Sequence, residues 1–233
     1  GARVDRIAKR AAANKNLIYV YFCSMEQHFD AVLDATVTQG LDSVPFTPDM
    51  WGELAELAGW PADRHTGFQS AFWSAREPYD SGSFDDADFW SAVLGHRPDP
   101  AQLARLRAVD AAMWTHTDNR VVELLYRIRR TGLPIVLLSN APHPVSEALD
   151  AAAWRAVMDD ALYSCRLGMN KPHPDTYRKA LAATGAGDPA AVLFIDDRAD
   201  NCAAAAQVGL RTLHYTGSPM EIHDRIGPVV AGM

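Results

Sequence analysis

Residues 190–198 read AAVLFIDDR, an apolar run that ends in two adjacent aspartates, Asp196 and Asp197. Such a run is typical of a strand that is buried on both faces of a sheet. An unpaired charge at the end of a buried strand is costly, so two carboxylates in that place indicate a specific role. Carboxylate oxygens are hard ligands of the kind that magnesium prefers. The stretch therefore predicts a buried strand with a Mg²⁺ site at its tip.

Helical and strand patterns alternate around this run, from residue 119 to residue 215. Strand patterns stand at 133–140 (LPIVLLSN), more weakly at 161–168 (ALYSCRLG), and at 211–215 (RTLHY), with helical patterns between them. This rhythm predicts an α/β fold in which helices cover both faces of a parallel sheet. Ligands bind such sheets at the carboxyl ends of the strands, so polar residues there are the candidates for function.

Two more segments place polar residues where that edge is expected. Ser139 and Asn140 end the strand at 133–140, where side chains and backbone N–H groups could cradle a phosphate. Lys171 lies in a proline-stiffened loop, NKPHPD at 170–175, as a fixed positive charge. Each has an ordinary alternative, because Ser-Asn often forms a turn or cap and most lysines are solvated. Combined with the paired aspartates, they predict a phosphoryl-transfer site.

The residues before this α/β region divide into two further parts. Residues 46–116 hold four helical patterns broken by Pro and Gly, and they predict an all-helical subdomain. Its many tryptophans and phenylalanines either pack a bulky core or line a cavity. Residues 1–45 read as short helices, including a pattern at 25–37 that begins with the capping box of Ser24 and Gln27. The predicted domains are therefore 1–45, 46–116 and the α/β core at 117–233.

Composition limits the classes of function. No apolar run approaches the roughly 18 to 20 residues that span a bilayer, so we expect a cytoplasmic protein without a membrane partner. The three cysteines are far apart and odd in number, which argues against a disulfide scaffold or a zinc site. A net charge of −7 would repel nucleic acid unless a local basic patch compensates.

Three motifs together resemble the haloacid dehalogenase (HAD) superfamily. LLSNAP at 137–142, LGMNKPHPDTYRKAL at 167–181 and VLFIDDRADNCAAAAQVGLRTLHYTG at 192–217 are similar to its second, third and fourth motifs. AELAGWPADR at 55–64 and YDSGSFDDADFW at 79–90 resemble the helical cap of one HAD subfamily. The resemblance covers about residues 50–217. It implies a Rossmann-like core, a mobile cap, a Mg²⁺ cofactor and a small-molecule substrate that is hydrolysed through an aspartyl intermediate.

The same resemblance assigns roles to individual residues. It implies that Ser139 binds the phosphoryl group, that Lys171 neutralises charge, that Asp196 and Asp197 hold Mg²⁺, and that Asn140 faces the substrate. The family's first motif, which is D-x-D-G-T or a close relative at the end of the central strand, is absent from this sequence. Residues 3–34 instead resemble the helix-turn-helix of tetracycline-repressor-type (TetR) regulators, without the helix that normally covers that motif.

The central strand of a HAD core needs a segment to fill it, because its neighbours would otherwise keep unpaired backbone groups at about 1 to 3 kcal/mol each. One candidate is HFDAVLDATVTQG at 28–40, which would make Asp34 the nucleophile and has Thr38 in the fifth place of the motif. In this stretch Thr36 replaces the second aspartate, the usual general acid/base, so turnover should be slow. The other candidate is LIYVYFCS at 17–24, which would place Cys23 or Ser24 at the strand tip.

These observations leave three hypotheses of function. The first is a HAD hydrolase, of phosphatase or dehalogenase type, that acts on a small metabolite. The second is a catalytically inactive HAD fold that serves as a binding or assembly module. The third is a TetR-type DNA-binding regulator, which would have to form a homodimer to present two half-site readers.

Overall fold

The computed structural model describes residues 17–19, 50–61, 65–115, 117, 119–216, 220–222 and 224–225. From residue 50 onward helices dominate the first part and strands alternate with helices in the second, as the sequence predicts. Residues 17–19, by contrast, form a strand within the segment 1–45 that was predicted to be short helices, because they pair with two neighbouring strands of the sheet. In chain order the elements are β1 (Leu17–Tyr19), α1 (Met50–Leu57), α2 (His65–Asp80), α3 (Asp86–Leu94), α4 (Pro100–Trp114), α5 (Asn119–Arg130), β2 (Ile135–Ser139), α6 (His143–Ala151), β3 (Asp160–Tyr163), α7 (Ser164–Leu167), α8 (Pro174–Thr184), β4 (Val192–Asp196), α9 (Ala199–Gln207) and β5 (Arg211–His214).

The sheet is parallel, with the strand order β3-β2-β1-β4-β5. Strand β1 fills the central slot, because Ile18 pairs with Ile135 of β2 and with Leu193 of β4. The filling segment is thus part of LIYVYFCS, the second of the two candidates. Asp34 and the rest of 28–40, like the helix predicted at 25–37, lie outside the described residues.

Both faces of the sheet are covered, and the side chains of β2 and β4 alternate between them. Ile135 and Leu137 pack in one core cluster with apolar residues of α5 and α6. Val136 and Leu138 pack in a second cluster with Tyr177 of α8 and with residues of α9. Every residue of β2 and β4 is buried, which explains why these strands read as continuous apolar runs.

Helices α1 to α4 form a helical unit with a core of its own. Its aromatic rings pack edge to face, for example Phe72 against Phe89 with ring centroids 5.2 Å apart, and Tyr79 stacks on Phe89 at 4.1 Å. Phe72, Phe89 and Trp90 are fully buried. Most of the aromatic content predicted for this region is therefore core packing, and Trp114 joins this cluster to the core of the sheet.

The weak strand predicted at 161–168 is wrong in its second half. Strand β3 ends at Tyr163, and Ser164–Leu167 form a helical turn that closes at Gly168, whose φ of 72° lies in the left-handed region. The Ser164 hydroxyl holds this turn, since it accepts from the backbone N–H of Ala141 at 2.9 Å and donates to the carbonyl of Asp80 at 2.5 Å. Tertiary contacts therefore override the strand pattern here.

None of the helices in the described part of the chain is long and apolar enough to cross a membrane.

Candidate active site

The carboxyl ends of β2 and β4 meet the loop that precedes α8, and Lys171 connects them. Its ammonium donates to Asp196 Oδ2 at 2.8 Å and to the carbonyl of Leu138, the residue before Ser139, at 3.2 Å. Only 4% of Lys171 is exposed, and Asp196 is fully buried. Three of the residues singled out in the sequence thus lie at one junction, although they are 57 positions apart along the chain (196 − 139).

Asp196 is held on both of its carboxylate oxygens. Oδ1 accepts from the backbone N–H of Arg198 and from Asn201 Nδ2, each at 2.9 Å, while Oδ2 accepts from Lys171. Asn201 lies in the first turn of α9 and is 2% exposed. These bonds stabilise the buried carboxylate and fix its orientation.

Asp197 follows at the same edge and is half-buried. Its carbonyl accepts from Nε2 of His214, at the end of β5, at 2.8 Å. The backbone N–H of Tyr215 in turn donates to the carbonyl of Asp196 at 2.9 Å. The end of β5 therefore holds the backbone of both aspartates.

Asn140 contacts Lys171 through its amide group. Its Nδ2 donates to the carbonyl of Lys171 at 3.0 Å, and its Oδ1 accepts from the backbone N–H of Lys171 at 2.8 Å. The side chain that the HAD resemblance turns toward the substrate is thus bonded to the lysine backbone. Ser139, just before it, is 5% exposed and lies at the tip of β2.

The helical unit touches this junction at the carboxyl end of α2. Asn170, next to Lys171, donates through Nδ2 to the carbonyl of Glu77 at 2.8 Å. Ser164 links the carbonyl of Asp80 to the backbone N–H of Ala141, one residue beyond Asn140. Both loops of the junction are therefore tied to the same end of one helix.

A buried ionic cluster lies inside the helical unit, close to that end of α2. Arg76 donates through Nε to Asp80 at 2.8 Å and through Nη1 to Asp110 at 3.0 Å, and Trp114 donates to Asp110 at 2.7 Å. The guanidinium lies between aromatic rings, with its carbon 5.1 Å from the centroid of Phe72. Burial raises the pKa of Asp80 to about 6, against the opposing attraction of Arg76.

A family model for haloacid dehalogenase-like hydrolases matches residues 33–209, which is most of the chain. The chain belongs to the HAD-like hydrolase family. The match begins one residue before Asp34, whereas the strand in the central slot, β1, ends at Tyr19. The family match therefore begins after the segment that forms the central strand of the sheet.

Two curated relatives have different printed functions. The chain is 29% identical over 114 residues to a sesquiterpene phosphatase of Aspergillus oryzae, a match that covers 47% of this chain and 58% of that protein. It is 36% identical over 85 residues to an HTH-type transcriptional repressor of Streptomyces coelicolor, covering 33% of this chain and 41% of that protein. The chain thus spans about half the length of these curated relatives.

A solved HAD enzyme shares the fold over nearly the whole chain. It is an enzyme of Bacteroides thetaiotaomicron whose structure was determined in complex with magnesium and inorganic phosphate. The TM-score is 0.59 at 17% identity, and the likeness covers 87% of this chain and 96% of that one. At this identity the likeness shows the HAD-like fold alone.

The donor chemistry of the junction fits a magnesium ion. Mg²⁺ is commonly held by one or two carboxylates with water and phosphate oxygens completing the shell, and Asp196 and Asp197 would be the two carboxylates here. A carboxylate has about four lone-pair sites, of which three on Asp196 accept the bonds described above. Within the described ranges, no cluster of three or more His, Cys, Asp and Glu side chains could hold a metal ion.

The sequence missed two residues of this site. Asn201 stands in an alanine-rich helix that reads as packing, and its bond to Asp196 depends on where α9 begins. His214 stands in a short strand whose alternation gives no sign of a contact with Asp197. The roles predicted for Ser139, Asn140, Lys171, Asp34 and the aspartate pair stay predictions.

Proposed function

We propose that this HAD protein is a phosphatase that hydrolyses the phosphate ester of a small, partly apolar alcohol. The observation that carries the proposal is the buried junction at which the Lys171 ammonium bonds to Asp196 and to the peptide before Ser139. A fixed cation beside a hydroxyl and paired carboxylates is suited to a phosphoryl group. The sesquiterpene phosphatase relative supports a phosphate ester over a carbon–halogen bond, and it supports an apolar alcohol.

The residues at the strand ends would bind the phosphoryl group and the magnesium ion. Ser139 would donate its hydroxyl to a phosphoryl oxygen, and Lys171 would neutralise negative charge on the phosphoryl group. Asp196 and Asp197 would hold Mg²⁺, which when bound supplies positive charge to the phosphoryl oxygens. The helical unit would act as the cap, and its half-buried rings, such as Trp60 and Trp73, would favour an apolar substrate. We propose the cytoplasm as its location.

We propose Asp34 as the nucleophile, supported by the family match that begins at residue 33. Its carboxylate would attack phosphorus and form an acyl phosphate, while the ester P–O bond breaks and the leaving alkoxide takes a proton from water. Water would then hydrolyse the acyl phosphate to inorganic phosphate and regenerate Asp34. Thr36 stands where an aspartate would donate a proton to the leaving group, and a threonine cannot do this. Esters of alkyl alcohols, which are poor leaving groups, should therefore react about 10²–10⁴-fold more slowly than with an enzyme that has this aspartate.

Trapping the phosphorylated enzyme tests the assignment of Asp34. The protein is mixed with magnesium and an aryl phosphate, quenched in acid, digested and mapped by mass spectrometry. The proposal predicts phosphate on the peptide that contains Asp34, and no trapped phosphate in Asp34→Asn. Phosphate on a peptide that contains Cys23 or Ser24 would instead place the nucleophile in the residues that follow β1 in the chain, and it would contradict the assignment of Asp34.

One observation favours a second candidate, a HAD fold that binds phosphate compounds without turning them over. The strand in the central slot is Leu17–Tyr19, and the residues that follow it, VYFCS, include no carboxylate. A protein of this kind would bind inorganic phosphate with magnesium in a calorimeter and release no product from aryl phosphates. Product release that Asp196→Asn abolishes would exclude it.

The repressor relative favours a third candidate, DNA binding by residues 1–45. The net charge of −7 opposes it, because non-specific affinity for DNA arises from positive charge. A gel-shift assay at low salt tests it, and the absence of any shift at micromolar protein would exclude it.

A further inference from the structure

The side chain of Asn140 pairs with Lys171 as a neighbouring strand would. Its amide accepts from the N–H and donates to the carbonyl of the same residue, at 2.8 and 3.0 Å. Both polar groups of the amide are therefore engaged with one backbone position. The orientation of the Asn140 side chain is therefore fixed by two hydrogen bonds.

Asn140 is itself held on both sides by the fold. Ser139 before it belongs to β2 and pairs in register with Tyr163 of β3. The N–H of Ala141 after it donates to the buried hydroxyl of Ser164. The anchor for the lysine backbone is thus a short, well-supported segment at the tip of a central strand.

Lys171 is held at both ends: Asn140 holds its backbone, and the ends of two strands hold its ammonium. Its ammonium reaches the carbonyl of Leu138 and the carboxylate of Asp196, which belong to different strands. The stem between backbone and ammonium has a limited reach although its bonds rotate, so a shift of the backbone changes which partners the ammonium can contact. A displacement of about 1 Å in a catalytic group can cost on the order of 10²-fold in rate.

We propose that Asn140 is a positioning residue that sets the place of the Lys171 ammonium, and that it does so in place of a direct contact with substrate. This proposal rests on the proposed phosphatase function where it concerns rate. The position of the ammonium can also be measured without any reaction. The two proposals can therefore fail separately.

A double-mutant cycle in steady-state hydrolysis of an aryl phosphate gives the first measurement. Asn140→Ala should lower kcat by about 10- to 100-fold with little change in KM, because the ammonium loses its place. In the Lys171→Met background the same change should alter kcat less than about twofold, since there is no ammonium left to position. Equal effects in both backgrounds would overturn the proposal.

The second measurement is nitrogen-15 NMR of the lysine ammonium groups, which needs no activity. Lysines stand only at positions 9, 15, 171 and 179, and loss of a signal in Lys171→Met assigns the group. The proposal predicts a slowly exchanging Lys171 signal that shifts or broadens in Asn140→Ala.

Failure of the phosphatase function and failure of the positioning role give different results. If the wild type hydrolyses no phosphate ester, the proposed function fails and the NMR result alone decides the positioning role. A Lys171 signal that is absent in the wild type, or unchanged in Asn140→Ala, would overturn it. Asn119→Ala, at an exposed position in α5, serves as the control and should change neither kcat nor the signal.

Discussion

Lys171 and Asp196 form an ion pair in which the side chains are 1% and 0% exposed. Removing one partner from such a pair leaves an uncompensated buried charge, which typically costs about 3–5 kcal/mol. We therefore predict that Lys171→Met lowers the free energy of unfolding by about that amount. Asp196→Asn should do the same, as measured by urea denaturation.

The double variant Lys171→Met with Asp196→Asn should lose less than the two single losses added together, because neither charge remains unpaired. Arg178→Met, which breaks the exposed pair with Asp175, is the control and should leave the denaturation midpoint unchanged. Strict additivity of the two buried changes would contradict the account.

Asp80 makes the stability of the helical unit depend on pH. Burial raises the pKa of Asp80 to about 6 from an ordinary value of 3.8, and burial also raises the pKa of Asp110. The folded protein then holds the Asp80 proton more tightly than the unfolded chain, so its contribution to stability is present below about pH 4 and lost as pH rises through about 6.

Relative to Asp80→Asn, the wild type should gain free energy of unfolding as the pH falls from about 7 to about 4. Chemical denaturation of both proteins across this range measures the difference. A difference that stays constant or shrinks toward low pH would contradict the assignment to Asp80.

For single residues, the sequence predicted which side chains lie together at the strand ends, but it did not predict the hydrogen bonds between them. Ser139, Lys171 and Asp196 were predicted to converge because parallel strands present their carboxyl ends on one edge. The bond from Asn140 to the lysine backbone depends on the path of the loop at 170–173, which no local pattern specifies. The same holds for Asn201, whose partner is set by the first turn of α9.

The turn after β3 connects two other parts of the fold, because its first residue, Ser164, bonds to the loop after β2 and to the end of α2. The hydroxyl of Ser164 is buried between the backbone of Ala141 and that of Asp80. Ser164→Ala should lower the free energy of unfolding by about 1–3 kcal/mol, since a buried N–H and a buried carbonyl lose their partner. Thermal or urea denaturation measures this loss.

Ser74→Ala is the matched control, because the hydroxyl of Ser74 bonds within an exposed turn of α2. It should leave the free energy of unfolding within about 0.5 kcal/mol of the wild type. Equal losses in the two variants would show that the buried bridge does not hold the turn.

The central strand gives a prediction for hydrogen exchange. Strand β1 is paired on both sides, so the amides of Leu17–Tyr19 should exchange as slowly as those of β2 and β4. Exchange measured by mass spectrometry on peptides from 17–24 and from 28–40 tests this. Fast exchange in 17–24 together with strand-like protection in 28–40 would contradict the position of β1.

The elements that the sequence predicted well are those with strong local patterns. The runs of β2 and β4 and the four helices of the helical unit have such patterns, and the structure has them. The central strand could not be chosen from sequence, because both 17–24 and 28–40 carry β-branched residues and the choice depends on pairing with β2 and β4. The second half of 161–168 was wrong because Ser164 is recruited by contacts distant in sequence.

At the scale of the whole molecule, the helical unit and the α/β core meet close to the proposed site. The carboxyl end of α2 is bonded through Asn170 and Ser164 to the loops that carry Lys171 and Asn140. The position of the helical unit and the geometry of the junction are therefore linked through a few hydrogen bonds. The HAD resemblance predicted the two parts, whereas these specific links became visible only in the structure.

We propose that the junction of Ser139, Lys171 and the aspartate pair hydrolyses phosphate esters. The most direct test is magnesium-dependent hydrolysis of an aryl phosphate by the wild type and by Asp196→Asn, with Asn119→Ala as the control. We expect magnesium-dependent product release by the wild type and by the control, and a loss of at least about 10²-fold in kcat for Asp196→Asn. Activity that Asp196→Asn retains in full, or no activity in the wild type, would contradict it.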